Sequence, residues 1–173
     1  MSSLSPKSPL LLFFDECCSK HLGKSLYNLY KPHYEGDDSF NIKYISEFVS
    51  LGSPDDVWMK FMEQHPSWIV VTRDKGRKQP DLIQLCEEYK RTHLVINHTL
   101  DTVERQSLAF NEMWRLINIL PYLPPGTGAK MHYTQVRSGL KAKISVQKLG
   151  IESWCKENGV DYPPFLPKAS TAI

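Results

Sequence analysis

Leu10-Leu11-Leu12-Phe13-Phe14-Asp15-Glu16 runs five apolar residues directly into two carboxylates. A continuous apolar stretch of this length, without polar alternation, marks a strand buried on both faces, as in a parallel sheet covered by helices on each side. Trp68-Ile69-Val70-Val71-Thr72-Arg73-Asp74 repeats the arrangement, a buried strand over Trp68–Thr72 followed by charge. The segments around these two have alternating periods. Cys18, Leu22, Leu26 and Leu29 recur at helical spacing until Pro32 and Gly36 stop them. Phe40–Val49 alternates in part, through Ile42 and Tyr44, and reads as a second strand whose far end Ser46 and Glu47 leave open. Ser53-Pro54-Asp55-Asp56 reads as a helix start capped by Ser53, with Val57, Trp58, Phe61 and Met62 as its apolar stripe. Pro80 opens a helix carrying Leu82, Ile83, Leu85, Cys86 and Tyr89, and His93–Asn97 is a fourth strand. A capping box at Asp101–Glu104 then starts a helix that runs through Phe110, Met113, Trp114 and Ile117 toward Leu120.

Strand and helix in fourfold alternation imply a three-layer α/β/α fold, with a central, mainly parallel sheet and right-handed crossovers. Pro121–Gly128 breaks the alternation. Beyond it, Met131–Val136 and Leu140–Val146 flank Arg137-Ser138-Gly139, the pattern of an antiparallel hairpin. A short helix near Ile151–Glu157 and a tail with Pro163, Pro164 and Pro167 follow. The expected division is a principal α/β domain over 7–123 and a C-terminal extension over 124–173 that holds the hairpin, the short helix and the tail.

At 173 residues the chain supports one domain with a real core. Hydrophobic and charged fractions of 41% and 23% belong to ordinary soluble proteins. A net charge of +2 is too small to imply a nucleic-acid partner by itself. Leu10–Phe14 is too short to cross a bilayer or to serve as a signal-peptide core, so the expectation is a cytoplasmic chain without a membrane partner. Cys17, Cys18, Cys86 and Cys155 form no CxxC pair, and are expected to be reduced and mostly packed.

In an open parallel sheet, ligands bind outside the carboxyl ends of the strands, where the strand order reverses. Asp15 directly follows the first buried strand, Asp74 the third, and Asp55 begins the helix after the second. Carboxylates gathered on one rim repel one another and require a cation. Hard oxygen ligands suit Mg²⁺ or Mn²⁺ better than zinc. Such an ion lowers the pKa of bound water and stabilises phosphoryl charge, as phosphodiester hydrolysis demands. Thr72 stands where it can hydrogen-bond a carboxylate or the scissile phosphate. Each acid also has a plainer reading. Asp56 favours capping, Asp55 divides evenly, and Asp81 and Glu104 fit a first helical turn. Asp74 can pair with Arg73, Lys75 or Arg77 in a solvated loop. Asp15, closing a wholly apolar strand, resists the plain reading best.

Leu11–Glu16, Gly52–Trp58 and Trp68–Lys75, in that order and spacing, resemble the PIN-like domain of VapC-type toxins, over roughly Leu10 to Leu120. The resemblance implies that Asp15, Asp55 and Asp74 are catalytic, metal-binding acids supported by Thr72. It implies a Mg²⁺- or Mn²⁺-dependent endoribonuclease, the toxin of a pair whose protein antitoxin is encoded nearby. The family's usual fourth acid has no obvious counterpart; Asp81 or Asp101 would stand in, with Glu16 and Asp56 as further acids of the region. A homodimer is implied by fold-level analogy.

Cations flank these acids. Lys75, Arg77 and Lys78 follow Asp74, in position to hold an RNA backbone. A second basic stretch, 130–148, carries Lys130, Arg137, Lys141, Lys143 and Lys148 with His132 and Tyr133, and no Asp or Glu. It reads as an RNA-binding arm, a docking surface for an acidic antitoxin segment, or a lysine-protected sheet edge. The competing functional readings are a catalytically silent PIN-like module and a receiver-like regulatory domain. The receiver fits worse, because no central strand offers a phosphoacceptor and Thr72 lies too close to Lys75. A dehalogenase-type phosphatase needs Asp-x-Asp after the first strand, and Cys17 occupies the second of those positions.

Overall fold

The computed structural model describes residues 9–36, 38–73, 82–147 and 149–160. Four strand–helix units lead the chain: β1 (Leu10–Phe14) with α1 (Lys20–Tyr30), β2 (Phe40–Tyr44) with α2 (Asp55–Met62), β3 (Trp68–Thr72) with α3 (Leu82–Glu88), and β4 (His93–Ile96) with α4 (Val103–Ile117). β5 (Gly128–Val136), β6 (Gly139–Val146), the short β7 (Leu149–Gly150) and α5 (Ile151–Glu157) complete it. All strands join one sheet in the order β2-β1-β3-β4-β5-β6-β7. Pairing is parallel from β2 through β5 and antiparallel from β5 to β7. The hairpin thus continues the main sheet through β5, which pairs with β4 from His93↔Gly128 to Ile96↔Met131.

The apolar run of β1 is buried on both sides, as its composition requires. Leu10, Leu12 and Phe14 pack into one core with α1, α4 and α5, whose contributions include Leu22, Phe110, Trp114 and Trp154. Phe13 points the other way, into a core formed with Trp58, Met59 and Met62 of α2 and Leu85 and Cys86 of α3. The chain is therefore a three-layer α/β/α sandwich.

The helix layers and the strand order together fix the sense of each crossover. α1 carries the chain from β1 to one side; α2 and α3 carry it to the other side on the opposite face. These three share one hand. α4 lies in the α1 layer yet leads from β4 to β5 in the direction of α3, so its crossover has the opposite hand. The uniform right-handedness expected of parallel βαβ units is broken there. As a result the α2/α3 side of β5 and β6 is left without a helix from this crossover.

Several local expectations are corrected. β2 ends at Tyr44 rather than extending to Val49, because the Glu47 carboxylate accepts the Tyr44 N–H at 2.7 Å and closes a 3₁₀ turn at Ile45–Glu47. Ser53 does not cap α2: its hydroxyl donates to the Ser50 carbonyl at 2.6 Å, and Pro54 occupies the cap position. Thr102, not Asp101, caps α4 by accepting the Arg105 N–H, while Asp101 pairs with the Arg105 guanidinium at 3.1 Å.

The β4–β5 junction depends on one glycine. The imidazole of His93 is buried, with Nδ1 donating to the Arg91 carbonyl at 3.0 Å. A Cβ on Gly128 would sit 2.7 Å from its Nε2. Gly128→Ala is expected to cost about 1–3 kcal/mol in denaturant unfolding, the usual penalty for overpacking. In a His93→Ala background the same change should cost little; an equal cost in both backgrounds would show that the ring is not the obstacle.

Candidate active site at the carboxyl edge of the sheet

The direction of the chain reverses between β1 and β3, so their carboxyl ends form the switch point at which α/β sheets bind ligands. Asp15 stands there. Its backbone N–H continues the β1–β3 ladder by donating to the Val71 carbonyl at 3.0 Å. The residue is only 6% exposed, which is unusual for a carboxylate. The Glu16 N–H donates to Oδ1 at 2.6 Å, and the fully buried Thr72 hydroxyl donates to Oδ2 at 3.0 Å. The Cys17 thiol adds a further hydrogen bond.

The electrostatics follow from this placement. Burial raises the Asp15 pKa above the ordinary aspartate value, and the neighbouring charge of Asp55 adds to the rise. The hydrogen bonds from Thr72, Glu16 and Cys17 oppose it. Burial and the Asp15 charge also push the thiols of Cys18 and Cys86 up, so both stay protonated. Among the described residues no cationic side chain forms an ion pair with Asp15.

Asp55 opens α2 as a half-buried first-turn residue, and its Oδ1 accepts the indole N–H of the buried Trp58 at 3.1 Å. Glu16 is exposed and accepts the Gly52 N–H at 2.9 Å, which ties the end of β1 to the loop leading into α2. Asp56 is exposed on the first turn of α2. Asp101 is occupied by its pair with Arg105. Asp74, Lys75, Arg77, Lys78 and Asp81 lie outside the described residues. Arg137, in the β5–β6 turn, and Lys141 and Lys143, on β6, are exposed and stand apart from the Asp15 rim.

The structure therefore brings together Asp15, Thr72 and the charge of Asp55. Among the described residues no three His, Cys, Asp or Glu side chains form a metal-holding group. What is present fits a hard divalent cation: a buried carboxylate with no cationic partner among those residues, and a second carboxylate whose charge it feels. Two features, one contact and one unpartnered atom, were not legible in the sequence. Trp58 reads as core, but its i, i+3 spacing from Asp55 is what lets the indole hold the carboxylate. Arg73 Nε, beside the site, is buried without a hydrogen-bond partner among the described residues.

A family profile described as PIN like domain matches residues 11–97, just over half of the 173-residue chain and the span from β1 to the end of β4. The chain belongs to the PIN-like domain family. Curated proteins and solved structures give no match. PIN-like domains are in general nucleases that use divalent metals, so the switch-point acids sit in a nuclease-type fold. Among the described residues no helix is long and apolar enough to cross a membrane.

The raised pKa of Asp15 has a consequence for stability. In metal-free protein the folded state holds this proton more tightly than the unfolded chain. The resulting stability is complete below the unfolded value of about 3.9 and is lost as pH rises through the folded value. Asp15→Asn, which cannot ionise, should therefore melt higher than the wild type at neutral pH in chelator, and the difference should vanish in acid. Added Mg²⁺ should raise the wild-type melting temperature and leave that of Asp15→Asn unchanged. A variant less stable at neutral pH would contradict the assignment of Asp15 as a burdened carboxylate.

Proposed function

We propose that this PIN-like chain is a metal-dependent endoribonuclease, with Asp15, Asp55 and Asp74 as its catalytic acids and Mg²⁺ or Mn²⁺ as the cofactor. The observation that carries the reading is Asp15, a carboxylate buried at the switch point, oriented by Thr72 and lacking a cationic partner among the described residues. A bound divalent cation supplies Lewis acidity toward phosphoryl oxygens and a lower pKa for water. The residues of the chain do the positioning. Thr72 fixes the Asp15 carboxylate and favours its ionised form. Trp58 holds Asp55 at the head of α2. Asp74, two residues beyond Thr72 in sequence, completes the trio, and Lys75, Arg77 and Lys78 are the adjacent phosphate contacts. Glu16, braced on Gly52, serves the loop rather than the cation.

The purified chain is expected to cut single-stranded RNA with Mg²⁺ or Mn²⁺, and Asp15→Asn or Asp74→Asn to abolish cutting in a folded protein. Thr72→Val keeps shape and loses the hydroxyl. It should lower activity roughly 10- to 100-fold, as loss of an outer-shell partner does, and move the acidic limb of the pH–rate profile upward. A wild type inert across metals and RNAs, yet binding a protein tightly, would replace this reading with the silent binding module.

The further assignment, toxin of a cytoplasmic toxin–antitoxin pair, rests on the resemblance to VapC-type domains. On that reading the antitoxin is encoded nearby, and a homodimer is the assembly suggested by analogy of fold. Induction in a bacterial host should arrest growth, with relief by the neighbouring gene. Normal growth with active protein present would remove the toxin assignment and leave the nuclease one.

A further inference from the structure

Resting on the nuclease reading, we infer that the face of β5 and β6 on which no helix of the described residues packs is a phosphate-binding track that leads single-stranded RNA toward Asp15. The register places the two on one side of the sheet. Thr72, which holds Asp15, pairs with Val95; Val95 pairs with Lys130; Lys130 pairs with Ser145. Strand alternation keeps this row on the α2/α3 side, because the neighbours Val71, Leu94, Ala129 and Val146 all belong to the opposite core. Further along the same face His132 stands opposite Lys143, and Thr134 opposite Lys141.

Lys130, Lys141 and Lys143 are exposed and form no ion pair among the described residues, and residues 124–150 contain no Asp or Glu. Glu112 of α4 and Glu152 of α5 share a groove with Lys141 and Lys143 at the outer edge of β6. The residues that alternate with these lysines on β6, Ala142 and Ile144, are buried against the α4/α5 layer, which fixes the lysines outward. Because of the reversed hand of the α4 crossover, no helix among the described residues lies on this face. Lysines on an outer strand such as β6 also discourage strand pairing. That account does not reach Lys130, since β5 is paired on both sides by β4 and β6. Lys141 and Lys143 stand roughly 7 Å apart along the strand, close to the repeat of phosphates on an extended chain. From Asp15 to Lys130 is three strand spacings, roughly 14 Å, so a strand of a few nucleotides spans the two. An acidic peptide would need only the charge; the row that Lys130 shares with Asp15, continued on the same face by Lys143 and Lys141, favours the substrate.

The test uses the full chain carrying Asp15→Asn, so that RNA is bound without being cut, and a fluorescein-labelled oligouridylate read by anisotropy across salt concentrations. Replacing Lys130, Lys141 and Lys143 together with Ala should weaken binding at low salt roughly tenfold or more, and reduce the log–log salt slope by roughly 2, as loss of three single-strand phosphate contacts requires. With Asp15 restored, the triple variant should cut a uridylyl dinucleotide at the wild-type rate and long RNA more slowly. If the triple variant melts early, Lys141→Gln alone decides, with an expected slope change of roughly 0.7. Unchanged affinity and slope would overturn the track and leave the nuclease standing. Tighter binding of a poly-glutamate peptide than of RNA, lost in the triple variant, would assign the face to an acidic protein instead. A wild type that neither binds nor cuts any RNA would remove the nuclease reading, and the track with it.

Discussion

A carboxylate held under the end of a sheet is the constraint around which the candidate site is arranged. Asp15 is placed by the β1–β3 ladder, and its charge is tolerable only because Thr72, Glu16 and Cys17 donate to it. Those bonds do not fully offset burial, since the pKa remains raised. An uncompensated buried carboxylate costs folding free energy, and sites of this kind cluster where a ligand later supplies the missing charge. Packing supports the arrangement from below. Phe13 and Phe14 fill opposite cores immediately before Asp15, so the residue cannot shift without disturbing both layers.

The second organising feature is the hand of the α4 crossover. A helix placed with α2 and α3 would have covered the far side of β5 and β6. Instead α4 joins α1, where Trp114 stacks on Tyr30 and donates its indole N–H to the Tyr34 hydroxyl at 3.0 Å. The apolar material of the hairpin, Ala129, Met131, Ala142, Ile144 and Val146, follows α4 to that side. The lysines take the other. A single choice in the topology therefore separates a dry face from a basic one.

Much of this was legible in the sequence, for physical reasons that differ by element. β1, β3 and α5 were read at their observed bounds because uninterrupted apolar runs and a compact helical turn leave little ambiguity. The end of β2 was not legible, since Glu47 closes its turn with a side chain that pattern alone cannot place. The cap of α2 is hidden from the sequence for a related cause: Ser53 finds a closer partner in the Ser50 carbonyl. Crossover hand is a tertiary property, and no local period reports it. At the site, the position of Asp15 and its link to Thr72 could be argued from strand ends. The indole bond to Asp55 could not, because Trp58 looks like any core residue until its N–H is followed.

The measurement that bears most directly on the central claim is a Mn²⁺ titration followed by electron paramagnetic resonance, on wild type and Asp15→Asn. Saturable binding to the wild type, weakened roughly 10-fold or more in the variant, is the result this account predicts. Equal affinity in the two proteins would contradict it, because the buried carboxylate would then not be the one that holds the ion.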